Sequence, residues 1–149
     1  MNKLIALLSQ NPSSAQIGNL LLRVPVGLIF AAHGAQKLFG WFGGYGLNAT
    51  AGWMESIGLT PGLPLALLAG SAEFFGGILL LLGLFTRPAA LALAVTMLVA
   101  IFSVHWQNGF FMSNNGYEFA LALLATTIAL AASGAGKLAL DSFISKKLQ

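Results

Sequence analysis

The 149-residue sequence predicts an all-α membrane protein: a four-transmembrane-helix bundle with a short interfacial helix in its first outward loop. Three observations carry that expectation. Hydrophobic residues make up 57% of the chain and charged residues only 7%, with a mean hydropathy of +0.83, whereas a soluble domain is about a quarter charged. Four apolar stretches approach the ~20 residues that cross a ~30 Å hydrocarbon core. A lone carboxylate, Glu73, stands in the middle of the second stretch, where an ionised group must have a partner or a purpose.

Taken in order, the chain opens with a cytoplasmic or interfacial segment, 1–16. Its apolar run Leu4 to Leu8 is shorter than a signal-peptide core and reads as uncleaved. The membrane domain follows over 17–136, with spans at Ile17 to Phe39, Leu63 to Phe85, Pro88 to Trp106 and Tyr117 to Ala135. Only Thr86-Arg87-Pro88 separates the second and third spans, so they form an antiparallel hairpin in which Thr86 caps the next helix and Pro88 fits its first turn. The loop Gly40 to Gly62 carries Trp41, Phe42, Tyr45 and Trp53, and the loop Gln107 to Gly116 carries Phe110 and Phe111; aromatics at span ends mark the membrane interface. Asn48 to Leu59 fits a short surface helix ended by Gly58 and Pro61. A basic cytoplasmic tail, 137–149, closes the chain.

Charge sets the expected orientation. Lys3, Arg23, Arg87, Lys137, Lys146 and Lys147 fall on the side of the termini, against Lys37 alone on the other, so both termini are expected in the cytoplasm. In a soluble protein the net charge of +3 and pI near 9.6 would point to nucleic acid; here the basic residues flank apolar spans and read as topology signals. The chain has no cysteine, which excludes disulfides, thiolate metal sites and thiol exchange by the chain itself.

Small residues set the expected packing. Ala66, Ala69, Gly70, Glu73, Gly76 and Gly77 share one face of the second helix, Gly27 and Gly34 line up with Arg23 on the first, and Glu118, Ala122, Ala125, Ala129 and Ala132 repeat the device on the fourth. Such faces let backbones approach in lipid, where apolar burial gives no net drive. At ~1.5 Å per residue, His33 and His105 come out about 25 Å from the inner ends, level with Glu118 and just below Lys37, while Glu73 lies about 14 Å below the outer edge. The polar residues thus outline an outward-opening pocket between the first, second and fourth helices, walled by Phe30, Phe74 and Trp41, floored by Glu73 with Arg23 beneath.

Each polar residue also has a plainer reading. Glu73 is either a proton acceptor or the partner of Arg23 in a register-fixing ion pair, and the pair is favoured. His33 and Lys37, four apart on one face, suit an anionic or polar head group, although Lys37 also fits as a residue snorkelling to the interface. Glu118 suits the positive end of its helix, with Asn114 or Asn115 as cap. Haem ligation by His33 and His105 has nothing else in its favour, and no metal site is expected because no close-spaced ligand pair exists. No phosphate-binding loop, nucleophile elbow or dinucleotide fingerprint occurs, so no catalytic residue is assigned and no intrinsic cofactor is expected.

Arg23-Val-Pro-Val-Gly27-Leu-Ile-Phe30-Ala-Ala-His33-Gly34-Ala-Gln-Lys37-Leu-Phe39, then Glu73-Phe-Phe-Gly76-Gly77 and Gly83-Leu-Phe-Thr86-Arg87-Pro88, then Gly116-Tyr117-Glu118 and Gly136-Lys-Leu-Ala-Leu-Asp141, together resemble the DoxX family of bacterial membrane proteins. The likeness spans Ile17 to Asp141 and implies a multi-pass inner-membrane protein of four helices. It marks Arg23, Gly34, Lys37, Glu73, Gly77, Thr86, Arg87 and Glu118 as signature positions, alongside the packing glycines Gly27 and Gly76. The family takes its name from a membrane subunit associated with quinol oxidation and thiosulfate:quinone oxidoreduction. The resemblance therefore implies an accessory of membrane redox chemistry, at most a subunit of a quinone-linked oxidoreductase. His33, Lys37, Glu73, Glu118 and Arg23 are the candidate residues for binding a quinone or similar amphiphile. A non-enzymatic amphiphile-binding or transport protein and an assembly subunit of a membrane complex are the alternatives. Expected partners are the lipid bilayer, membrane redox proteins and further copies of the chain.

Overall fold

The computed structural model describes residues 12–147, all of whose regular structure is helical. The apolar run Leu4 to Leu8 lies outside the described residues. Helix α1 spans Pro12–Phe39, so it begins inside the segment expected to precede the first span. A 3-10 turn at Trp41–Gly43 leads to α2, Gly46–Ser56, within the first loop, and α3 runs Gly62–Leu82. Helix α4, Thr86–Ala100, continues through a π-helical turn, Ile101–His105, and a 3-10 turn to Asn108. Helix α5 spans Glu118–Ser133 and α6 spans Leu140–Lys147. Among the described residues, three helical stretches, Gln16–Phe39, Gly62–Leu82 and Thr86–Asn108, are long and apolar enough to cross a membrane, whereas α5 is apolar but shorter.

The α1–α3 pair is the tightest packing, and glycine makes it so. A Cβ on Gly27 would sit 2.7 Å from the Gly77 carbonyl oxygen, one on Gly77 would sit 2.6 Å from the Gly27 carbonyl oxygen, and one on Gly34 would sit 2.6 Å from the Phe74 Cα. Gly27 and Gly34, like Gly70 and Gly77, are seven residues apart, so each pair lies on one stripe; Gly27 and Gly77 meet backbone to backbone, Gly34 meets the Phe74 backbone, and Gly70 makes room for the Leu38 side chain. Gly76 turns instead toward Leu93 of α4, which splits the single small-residue face expected for this helix between two neighbours.

The fourth helix corrects the expected pattern more strongly. Its buried face is Ala120, Leu123, Leu124, Thr127 and Leu130, and Ala122, Ala125, Ala129 and Ala132 are exposed. The reason lies in α4, which presents Ala89, Ala90 and Ala94 around Leu93 and Met97. With the small residues on α4, the large ones of α5 fill the space between them. Phe30, Leu80, Leu93 and Leu130 sit fully buried where α1, α3, α4 and α5 come together.

The α3–α4 turn is closed by residues distant in sequence. Gly83, at φ 64°, ends α3 in the left-handed region with the Leu84 N–H bonded to the Leu79 carbonyl and the Gly83 N–H to that of Leu80, a Schellman arrangement. Thr86 does not cap α4 with its side chain; the Asp141 carboxylate does, accepting from the Phe85 N–H at 2.8 Å and the Thr86 N–H at 3.0 Å. The Asp141 N–H in turn donates to the Gly83 carbonyl at 2.9 Å. At the same end Asn19 donates to the Gly134 carbonyl and accepts from Ser133, which joins α1 to the end of α5.

Arg23 belongs to this end as well. Its guanidinium donates to the carbonyls of Leu80 at 2.9 Å and Leu81 at 2.6 Å and to that of Leu138. The Leu80 carbonyl thus takes a second donor besides the Gly83 N–H, and those of Leu81 and Leu138 gain a donor at the end of α3 and in the α5–α6 connection, where orphan helix carbonyls need one. Arg23, 2% exposed, is therefore a clip across three elements, and the expected Arg23–Glu73 ion pair does not form.

Candidate functional site

Lys37 stands in the last turn of α1, where a cation complements the carbonyl end of the helix. The antiparallel glycine register carries it to the level of Gly70 and Glu73 on α3: a Cβ on Gly70 would meet Lys37 Cβ at 3.4 Å. The Lys37 ammonium reaches the Glu73 carboxylate, Nζ to Oε2, at 2.5 Å. The Glu73 side chain is 4% exposed and that of Lys37 25%, so the carboxylate is sealed among the helices while its partner opens outward. Lys37, and not Arg23 or His33, is what compensates the buried charge.

Above the pair lies a cavity of ≈ 290 Å³, lined by Gln36 and Lys37 of α1, Gly44 and Tyr45 of the following turn, and Thr50 and Trp53 of α2. Local sequence explains how these elements close on one another. Gly44 lies so near α1 that a Cβ there would meet Gln36 Cβ at 2.6 Å, and Gln36 donates to the Phe42 carbonyl at 3.2 Å. Thr50, buried on α2, donates to the Gly46 carbonyl at 2.8 Å and approaches that of Lys37 at 3.4 Å. Ala51 and Met54 pack on Ala66 of α3, and Glu55 accepts from the Gly62 N–H at 3.1 Å, capping α3 from the loop helix. The helix expected at Asn48 to Leu59 thus forms over Gly46–Ser56 as a fixed lid on the start of α3.

The five candidate residues do not converge as the depth estimate implied. Only Lys37 and Glu73 meet. His33, one turn earlier on α1, is exposed and forms no hydrogen bond among the described residues. His105 Nδ1 lies 2.8 Å from the Asn115 carbonyl, and Glu118 accepts from the Met112 N–H at 2.5 Å, so both organise the loop between α4 and α5. Tyr117 occupies the cap position of α5, while Asn115 sits at φ 60° with its carbonyl serving His105 and Asn108, which corrects the expected asparagine cap. The cavity lies between α1 and α2, not between the first, second and fourth spans. Phe30 is core, and Phe74 and Trp41 form a separate aromatic cluster with Phe39. The sequence reading missed Gln36, Thr50 and Glu55; the one available signal was that the first loop is rich in glycine and aromatics yet holds an acid just before the second span.

Known proteins place the chain. The DoxX family model matches residues 18–106. CatD of Bacillus subtilis, described as a candidate oxidoreductase, is 40% identical over 133 residues, 89% of this chain and 91% of its own length. The inner membrane proteins YqjF and YphA of Escherichia coli are 32% and 31% identical, covering 88% and 82% of this chain and 95% and 86% of their own lengths. No solved structure matches. The Lys37–Glu73 pair and the glycine seam that aligns it both lie inside the matched region, and the chain belongs to the DoxX family of membrane proteins.

Proposed function

We propose that this chain is an inner-membrane accessory of quinone-linked redox processes, and that Lys37 and Glu73 form the polar floor of a site for the head group of a quinone or similar amphiphile. The carrying observation is the asymmetric pair: a buried carboxylate held by Lys37, whose side chain is a quarter exposed and which lines the cavity, with Glu73 behind it. An ammonium has three donors and the carboxylate takes one, so Lys37 has donors to offer a carbonyl oxygen of the head group. Glu73 stands within proton-exchange reach of the same nitrogen. A volume of ≈ 290 Å³ is at the lower limit of ligand pockets, about 300 Å³, so it suits a head group whose apolar tail runs outside along Trp53 and Tyr45. Electrons would come from a partner protein.

The names of the Escherichia coli relatives favour the inner membrane, and CatD's description favours a redox setting. Helix α5, 16 residues or about 24 Å, serves as a fourth and shortest span, and α2 lies at the outer interface. With four spans, the basic residues put the described ends of the chain in the cytoplasm and the cavity outside. The assembly-subunit reading also has an observation behind it, since Arg23, Asn19 and Asp141 are all committed to structural bonds.

A soluble quinone analogue should raise the melting temperature of the purified protein in detergent, because a ligand bound only to the folded state adds about 2.7 kcal/mol at a hundredfold excess over Kd. Trp53→Ala, at the exposed rim of the cavity, should weaken that shift while leaving the ligand-free melting temperature within a degree or so, as for an ordinary surface substitution. An unchanged shift in Trp53→Ala, or none in the native protein, favours the assembly subunit.

A further inference from the structure

The opposite end of the molecule holds a larger and more polar cavity, ≈ 560 Å³, between the start of α4, the end of α5 and α6. Arg87 lines it, lying so close to Gly134 that a Cβ there would stand 3.4 Å from the guanidinium Nε. That guanidinium forms no hydrogen bond or ion pair among the described residues. Thr86, also in the lining, is fully buried with its hydroxyl lacking a hydrogen-bond partner among the described residues. The acid nearest to hand, Asp141, is already engaged by the Phe85 and Thr86 N–H groups. Ser142 and Ser145 bring α6 to the cavity edge, and Lys146, four residues after Ser142, shares that face.

The other side of α6 is apolar. Leu138, Leu140, Phe143 and Ile144 are exposed, and Lys147 lies over the Phe143 ring at 4.9 Å. A short helix with basic residues beside exposed large apolar ones, at the mouth of a membrane bundle, is built to lie in the head-group layer. Arg87, Lys137, Lys146 and Lys147 give this end an excess of positive charge that only Asp141 opposes, so the complementary occupant is an anion with an acyl chain.

We propose that this cavity holds the phosphate of an anionic phospholipid, with Arg87 and Lys146 as its charged partners and Leu138, Leu140, Phe143 and Ile144 set against the acyl chains. Arg87 supplies the planar fork that matches phosphate, and Lys146 supplies a point charge. The site stands apart from the Lys37 cavity and does not rest on the quinone reading.

The test uses the full chain in nanodiscs of phosphatidylcholine with or without phosphatidylglycerol, reading melting temperature and the lipid retained in native mass spectrometry. Phosphatidylglycerol should raise the melting temperature of the native protein and be retained in preference to phosphatidylcholine. Arg87→Gln should weaken retention about fivefold, as should Lys146→Gln on its exposed helix, with both melting as the native protein does in phosphatidylcholine alone. Gly52→Ala, in α2 at the other end of the molecule, should leave the preference for phosphatidylglycerol intact. Equal retention of the two lipids by the native protein, or a preference untouched by both variants, overturns the proposal. So does a shift produced by inorganic phosphate alone in phosphatidylcholine discs, which would make the occupant a free anion.

Discussion

Lys37→Met should destabilise the protein by about 3 kcal/mol, and Glu73→Gln by only about 1 kcal/mol, in detergent unfolding followed by circular dichroism. Removing the lysine leaves a carboxylate that is 4% exposed and has no other charged partner among the described residues. Breaking a buried pair from that side costs about 3 to 5 kcal/mol, because the surviving charge cannot reach water. Removing the acid leaves a lysine whose side chain is already 25% exposed and whose flexible stem can carry the ammonium outward. The double variant, Lys37→Met with Glu73→Gln, should recover most of what Lys37→Met loses. Arg23→Met should show no such coupling to Glu73→Gln, since Arg23 bonds carbonyls of Leu80, Leu81 and Leu138. Equal losses from the two single variants, or no recovery in the double, contradict the pairing.

Gly77→Val should be more damaging still and is expected to abolish recovery of folded protein. The first added carbon would stand 2.6 Å from the Gly27 carbonyl oxygen and 3.0 Å from the Ala31 Cα, both backbone of α1, so relief requires moving a helix and not a side chain. Overpacking a core with room to adjust costs about 1 to 3 kcal/mol; here the adjustment separates the tightest helix pair and pulls Lys37 away from Glu73. Gly52→Ala in α2 is the control. A Cβ there meets nothing within 4 Å, and alanine is favoured over glycine in a helix by about 1 kcal/mol, so that variant should fold and melt slightly higher. Comparable yields of Gly77→Val and native protein in size-exclusion chromatography would mean that the α1–α3 seam is not the tight contact described.

The contrast between Gly77 and Ala122 shows what was legible in the sequence. In an apolar environment a close helix contact needs small residues on a stripe, so Gly27, Gly34 and Gly77 could be read as packing positions without a partner being known. The same rule applied to Ala122, Ala125, Ala129 and Ala132 failed, because alanine is also an ordinary exposed helix residue, and α4 had already supplied the small face. Glu73 was legible as a residue requiring compensation, but its partner was not. Counting depth from each helix end places Arg23 about 7 Å from it and Lys37 about 14 Å, so the count favoured the wrong residue, and only the register of the glycine seam decides for Lys37. The bonds from Asp141 to the start of α4, from Asn19 to Gly134 and from Glu55 to Gly62 join residues through turns, and no periodicity encodes them. For the same reason the cavity was expected between spans and lies instead under the first loop, whose glycines bring it down onto Gln36.

The central claim is that the Lys37–Glu73 floor holds the head of an amphiphile in the membrane. Its most direct test is to purify the native protein and the charge-free Lys37→Met, Glu73→Gln double variant from the same bacterial membranes, then extract and identify by mass spectrometry what each has carried through. The native protein should retain a quinone in near-stoichiometric amount, and the double variant, folded to the same melting temperature within a few degrees, should have lost it. Equal quinone content in the two, or none in either beside the same bulk phospholipids, would contradict the claim.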